Sequence, residues 1–170
     1  MDKISERNKG LITGILMVAT SLLLFYVLHK SLQGRNEYII FALYIAGICW
    51  CLADYHRQSN NKKFKDYFSA GFKTFIVACL MMVVFAYIFN KLNPQIRDTM
   101  IAENNDLVLK SGSRTPAEVQ ANGDKIKELY LPFTLLATTL KYLFLGALIT
   151  MVGAGFLSSR AADANRPGHI

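Results

Sequence analysis

Four separate, mostly apolar stretches, at about 11–28, 38–53, 67–89 and 135–157, punctuate this 170-residue chain. Each approaches the roughly 20 residues that an α-helix needs to cross a hydrocarbon layer about 30 Å thick. Lipid offers no partners to backbone amides, so a crossing segment must satisfy its own, which a helix does. The pattern predicts an all-α integral membrane four-helix bundle, forming one membrane domain over residues 1–170. Composition agrees: 18% of the residues are charged and 52% hydrophobic, against about 25% charged in a soluble domain.

The first stretch follows Lys3, Arg7 and Lys9, which raises the question of a cleaved signal. Its apolar run exceeds the 7 to 15 residues typical of one, and the residues after it, His29 to Gly34, carry no small-x-small site. It reads as a retained span. The second is edged by Tyr38, Trp50 and Tyr55, rings that favour the membrane interface.

Between the third and fourth stretches, residues 90–130 carry helix signals without the apolar length of a span. Asn93-Pro94 predicts a helix start, with Asn as cap and Pro at the first helical position. Ile96, Met100, Ile101, Leu107 and Val108 give that helix a partial apolar face, and Ser111-Gly112-Ser113 ends it. Thr115 and Glu118 have capping-box spacing, so a second short helix starts there. Asn122-Gly123-Asp124 is expected to interrupt it, before a further helical stretch leads through Pro132 into the last span. The expectation is of short extracytoplasmic helices, then a polar tail over 158–170.

The net charge of +7 is concentrated beside the spans, so it argues for membrane flanks rather than a nucleic-acid partner. Lys3, Arg7 and Lys9 precede the first span; Arg57, Lys62, Lys63 and Lys65 lie between the second and third; Arg160 and Arg166 follow the fourth. The opposite side has Lys30 and Arg35 in a short loop and a long segment whose basic and acidic residues balance. Orientation follows basic density in short flanks, so both termini are expected in the cytoplasm and residues 90–130 outside it.

A charge inside a span marks a candidate site. Lys73 and Lys141 are such residues, with Asp54 the nearest available partner for Lys73. Each lies about two turns from a span end, within snorkelling reach of an interface. Lys62, Lys63 and Lys65 can meet anionic headgroups, or serve only as the usual cytoplasmic charge. Gly10, Gly14, Gly71 and Gly153 are candidates for close helix packing, within one chain or between copies. Phe64, Phe68, Phe72 and Phe75 recur on one helical face, a pattern for packing.

Other chemistry finds little support. Cys49, Cys51 and Cys79 all fall in apolar stretches, where a thiol behaves as a small hydrophobe. His29 and His56 fall at opposite ends of the expected bundle, so they cannot share a metal or haem. No carboxylate falls inside the four stretches, and the sequence contains no His-Glu-x-x-His, Gly-x-Ser-x-Gly or phosphate-binding glycine loop.

Phe64-Lys65-Asp66-Tyr67-Phe68-Ser69-Ala70-Gly71-Phe72-Lys73 opens the third span and Phe89-Asn90-Lys91-Leu92-Asn93-Pro94 closes it. In these motifs, and in layout over nearly the whole chain, the sequence resembles a family of four-span membrane proteins of Bacteroidota, domain of unknown function 4199. The resemblance implies a bacterial inner-membrane location and an envelope-biogenesis setting, with a polyprenyl-phosphate glycosyltransferase as a neighbour. It carries no catalytic residue. The expected function is that of a non-enzymatic accessory or scaffold protein, without a cofactor, contacting the lipid bilayer and a larger envelope complex. A small homo-oligomeric channel or carrier, with Lys73 or Lys141 lining an anion path, is the alternative.

Overall fold

The structure, a computed structural model, describes residues 4–29, 36–58 and 63–164, with side chains described as far as Ala161. Its helices are α1 (Glu6–Leu22, continued by a π-helical turn, Leu23–Val27), α2 (Glu37–Arg57), α3 (Phe64–Leu92), α4 (Pro94–Lys110) and α5 (Pro116–Ala164). Four of them, α1 with its π turn, α2, α3 and α5, are long and apolar enough to cross a membrane. The apolar stretches therefore identify the spans, while local caps set their ends.

Those caps extend the helices past the apolar runs. Ser5 caps α1 by accepting the Asn8 backbone N–H at 3.3 Å, so the helix begins at Glu6, five residues ahead of Leu11. Pro94 occupies the first turn of α4 as expected, but the Asn93 side chain does not cap. It turns back instead, donating from Nδ2 to the Phe89 carbonyl at 2.9 Å and accepting from Gln95 Nε2 at 3.1 Å. The capping box forms as its spacing predicts: the Thr115 N–H donates to Glu118 Oε2 at 2.8 Å, and the Glu118 N–H to Thr115 Oγ1 at 3.4 Å.

The chain divides into two compact units, one taking in residues up to Met82 and from Leu140 onward, the other Val83–Thr139. In the first, α1 lies parallel to the early turns of α3. Gly10 faces Thr74 and Val77 while Gly14 faces Met81 and Ala78, so the contacts advance together along both helices. Helix α2 runs the opposite way, with Gly47 against Thr13 and Asp54 beside Lys9. The last turns of α5 follow α2, since Tyr44 meets Tyr142 and Leu52 meets Gly153. Met17, Tyr44, Ile48, Cys51, Tyr67, Phe75, Ala78 and Ala154 are its buried centre. Many of its outward residues are apolar, Ile15, Leu16, Ile39 and Leu80 among them, as contact with hydrocarbon favours.

In the second unit α4 and the beginning of α5 form an antiparallel hairpin around Ser111 to Thr115, where Gly112 takes the left-handed φ of +65°. A β-carbon there would be strained, so the expected break at Ser111-Gly112-Ser113 is present. The break expected at Asn122-Gly123-Asp124 is not: α5 runs continuously through those residues and Pro132. Gly123 is used instead for close approach, since a β-carbon on it would stand 2.9 Å from Asn105 Nδ2 and 3.4 Å from Ile101 Cγ2. Tertiary contact here overrides a weak local preference. Helix α5 also continues to Ala164, into the stretch expected to be a polar tail. At 1.5 Å per residue its 49 residues make roughly 73 Å of helix, more than twice the hydrocarbon thickness.

Candidate functional site

Along α1 the inward positions are Lys9, Thr13, Met17 and Ser21, at four-residue steps. Two of these hydroxyls satisfy themselves within the helix: Thr13 Oγ1 donates to the Lys9 carbonyl and Ser21 Oγ to the Met17 carbonyl, each at 2.8 Å. A lysine cannot do the same. Lys9 is only 2% exposed, and a buried ammonium is tolerated only with a counter-charge and hydrogen bonds. Its Nζ donates to Asp54 Oδ2 near the end of α2 in an ion pair.

The surroundings complete this polar locus where α1 and α3 begin and α2 ends. Gln58 Nε2 donates to the same Asp54 oxygen at 3.3 Å, and the Lys9 Nζ stands 5.9 Å from the Trp50 ring centroid, within cation–π range. Deeper in, Thr74 Oγ1 has three acceptors within reach: the Glu6 carbonyl at 3.0 Å, Cys51 Sγ at 2.9 Å and the Ala70 carbonyl at 3.2 Å. Toward the helix ends, the buried Tyr67 hydroxyl meets His56 Nδ1 at 2.6 Å, and its ring packs edge-on against Tyr55. The arrangement joins three helices through charge and hydroxyl contacts. Cys51 lies in it as a buried free thiol, whereas Cys49 is exposed.

A second ion pair lies at the opposite end of the same unit. Lys141 on α5 pairs with Glu37 in the first turn of α2, and its Nζ lies 5.6 Å from the Phe41 ring centroid. One turn inward, the Tyr44 hydroxyl donates to the Tyr142 carbonyl at 2.9 Å. A β-carbon on Gly146 would stand within clashing distance of its oxygen, so that glycine makes room for the bond.

The sequence candidates distribute as follows. Asp54 pairs with Lys9, not with Lys73 as expected: both lysines lie near the same end, but Lys9 faces α2 while Lys73 is on the outward side of α3. Lys73 is exposed and makes no ion pair or hydrogen bond among the described residues. Gly10 and Gly14 face α3, Gly71 faces Thr150 of α5 and Gly153 faces Leu52 of α2, all within the chain. Lys62 lies outside the described residues; Lys65 is exposed, and the Lys63 backbone N–H donates to Asp66 Oδ2 at 2.9 Å. The phenylalanine series is a continuous ring contact, with centroids 5.9, 6.3 and 5.1 Å apart from Phe64 through Phe68 and Phe72 to Phe75.

Two partners escaped sequence reasoning, Lys9 and Glu37. Lys9 counts in sequence as one more flanking charge, although its four-residue spacing from Thr13 and Met17 places it on the buried face. Glu37 directly precedes the second apolar stretch at the end where Lys141 enters the fourth, so depth alone marks it as the available counter-charge.

A family model described as "Protein of unknown function (DUF4199)" matches residues 8–159. No curated protein and no solved structure matches the chain.

Proposed function

The chain belongs to the DUF4199 family, and we propose that it is a non-enzymatic accessory or scaffold protein of a bacterial inner membrane, in the Bacteroidota envelope-biogenesis setting that the family resemblance implies. In this reading both termini lie in the cytoplasm and residues 90–130 lie outside it. The observation that carries the proposal is that α4, a 17-residue helix, buries none of its residues. Met100, Leu107 and Leu109 are exposed on it. Its contact with α5 is made through Ile101 and Asn105, which leaves these exposed apolar side chains available to a partner. Basic density favours the cytoplasmic placement of the termini.

The charges of the spans fit the same reading. Lys9 is neutralised by Asp54 and Lys141 by Glu37, so both act as internal fastenings between helices. The neutralisation of Lys141 by Glu37 counts against one of the two lysines, Lys73 and Lys141, that could line the anion path of a channel or carrier. Liposome flux that disappears on Lys141→Gln would restore the channel reading.

The deciding experiment is photo-crosslinking from Leu107 in the full chain within native membranes, followed by identification of what is captured. A reproducible envelope protein, for instance a polyprenyl-phosphate glycosyltransferase, in near-stoichiometric amount supports the scaffold reading. Purified protein that alone moves a solute or turns over a lipid substrate refutes it.

A further inference from the structure

We propose that the outward face at the start of α3, formed by Lys65, Ser69 and Lys73, binds the phosphate headgroup of an anionic lipid, with the acyl chains lying along the apolar surface deeper on the same face. The inference is independent of the partner of α4 and needs only that the helix be in a membrane.

Three lysines lie within or at the edge of the apolar windows of the first unit. Lys9 and Lys141 have carboxylates supplied by the chain itself. Lys73 has none among the described residues and is exposed, on a helix whose outward surface otherwise meets lipid. A cation in that position requires an anion or water. Its side chain has a favourable direction: helical side chains tilt toward the helix N-terminus, which for Lys73 is the near end of the span.

The neighbouring residues supply the remaining parts of a headgroup site. Lys65, Ser69 and Lys73 are all exposed and recur at four-residue steps, so at 3.6 residues per turn they drift through an arc of only about 80°. They cover about 12 Å along the axis. The Ser69 hydroxyl and the Lys73 ammonium suit the oxygens of one phosphate, and Lys65, about two turns nearer the helix start, adds positive charge to the same headgroup region. The Phe64, Phe68 and Phe72 rings run alongside as a continuous wall. Below Lys73 the face turns apolar, with Ile76 half-buried and Leu80 60% exposed. Cations above and hydrocarbon below match an amphiphile with an anionic head better than they match a soluble anion or a polar protein surface.

The test uses the full chain, purified in mild detergent, delipidated and mixed with phosphatidylglycerol or phosphatidylcholine, with retained lipid counted by native mass spectrometry. Wild-type protein is expected to retain phosphatidylglycerol over phosphatidylcholine. Lys73→Gln is expected to weaken that retention about fivefold, the equivalent of about 1 kcal/mol for one basic residue at an anionic surface. Lys73→Arg should keep it, as should Lys125→Gln, which removes the same charge from an exposed position in the second unit. Equal losses in Lys73→Gln and Lys125→Gln overturn the proposal, as does equal retention of the two lipids. So does displacement of the lipid by an equal concentration of inorganic phosphate, or a change in oligomer mass without a change in lipid count, which would mean that a second copy covers the face. Should Lys73→Gln fail to fold, Ser69→Glu places a negative charge between the two lysines at an exposed position, and undiminished phosphatidylglycerol retention in that variant overturns the proposal equally.

Discussion

Asp54→Asn is expected to destabilise the first unit more than Lys9→Met, although the two remove opposite ends of one ion pair. The difference comes from burial: the Lys9 side chain is 3% exposed and that of Asp54 40%. Removing one member of a fully buried pair costs about 3–5 kcal/mol, because the other is left as an uncompensated charge. The open side of Asp54 admits solvent, which lowers the figure for Asp54→Asn to about 1–3 kcal/mol. The Trp50 ring stays near the stranded ammonium and offsets about 0.5–1 kcal/mol at most. In Lys9→Met the stem contacts survive and the remaining carboxylate is half-exposed beside Gln58, so the cost is about 1 kcal/mol or less. The double variant should resemble Lys9→Met alone, since no ammonium remains to be stranded. Reversible unfolding in mixed micelles, titrated with a denaturing detergent, gives all four stabilities of the cycle. A Lys9→Met cost equal to that of Asp54→Asn, or an Asp54→Asn cost undiminished in the Lys9→Met background, would refute the burial asymmetry.

Thr150→Val should stabilise the chain by about 1 kcal/mol or more in the same unfolding assay, since the Thr150 hydroxyl is buried without a hydrogen-bond partner among the described residues and an unsatisfied buried group costs about 1–3 kcal/mol; a loss of stability would mean that the hydroxyl is satisfied. Gly47→Ala should destabilise by about 1–3 kcal/mol through overpacking, because the new β-carbon would fall on the Thr13 side chain. Gly155→Ala, with none of the described residues within 4 Å of the new β-carbon outside its own helix backbone, should instead be neutral or stabilising by about 0.5–1 kcal/mol through helix propensity; equal effects of the two alanines would contradict the packing described. Thr115→Ala should cost about 1 kcal/mol at the start of α5, seen as faster amide exchange in its first turn with exchange in α2 unchanged.

Features fixed by neighbours in the chain were legible in the sequence. The apolar stretches located four spans because backbone satisfaction in lipid leaves a long helix as the only form available to them. The Thr115–Glu118 box and the Gly112 turn were readable because their geometry closes within a few residues. Azimuth was not readable. Depth put Asp54 level with both Lys9 and Lys73, and only the rotation of α1 against α2 decides that it faces Lys9. The same limit explains Gly123: Asn-Gly-Asp favours a break locally, but Ile101 and Asn105 of α4 close on the glycine and the helix continues. Among the candidate residues, Gly10, Gly14, Gly71 and Gly153 were named by type alone, and the pairing of helices assigned each a distinct neighbour.

The three lysines show how the same side chain takes different roles according to its face. An inward lysine such as Lys9 constrains the bundle, because α1 cannot turn or slide without separating a buried ammonium from Asp54. Lys141 is half-exposed and close to the end of its apolar stretch, so its bond to Glu37 fastens α5 to α2 with a weaker penalty for release. Lys73 fastens nothing within the described chain, and replacing it with an apolar residue removes no contact seen there. Its effect must therefore appear in what surrounds the protein. Bundle stability and lipid retention are consequently separable: substitutions at Lys9 and Asp54 should move the first, and substitutions at Lys73 the second.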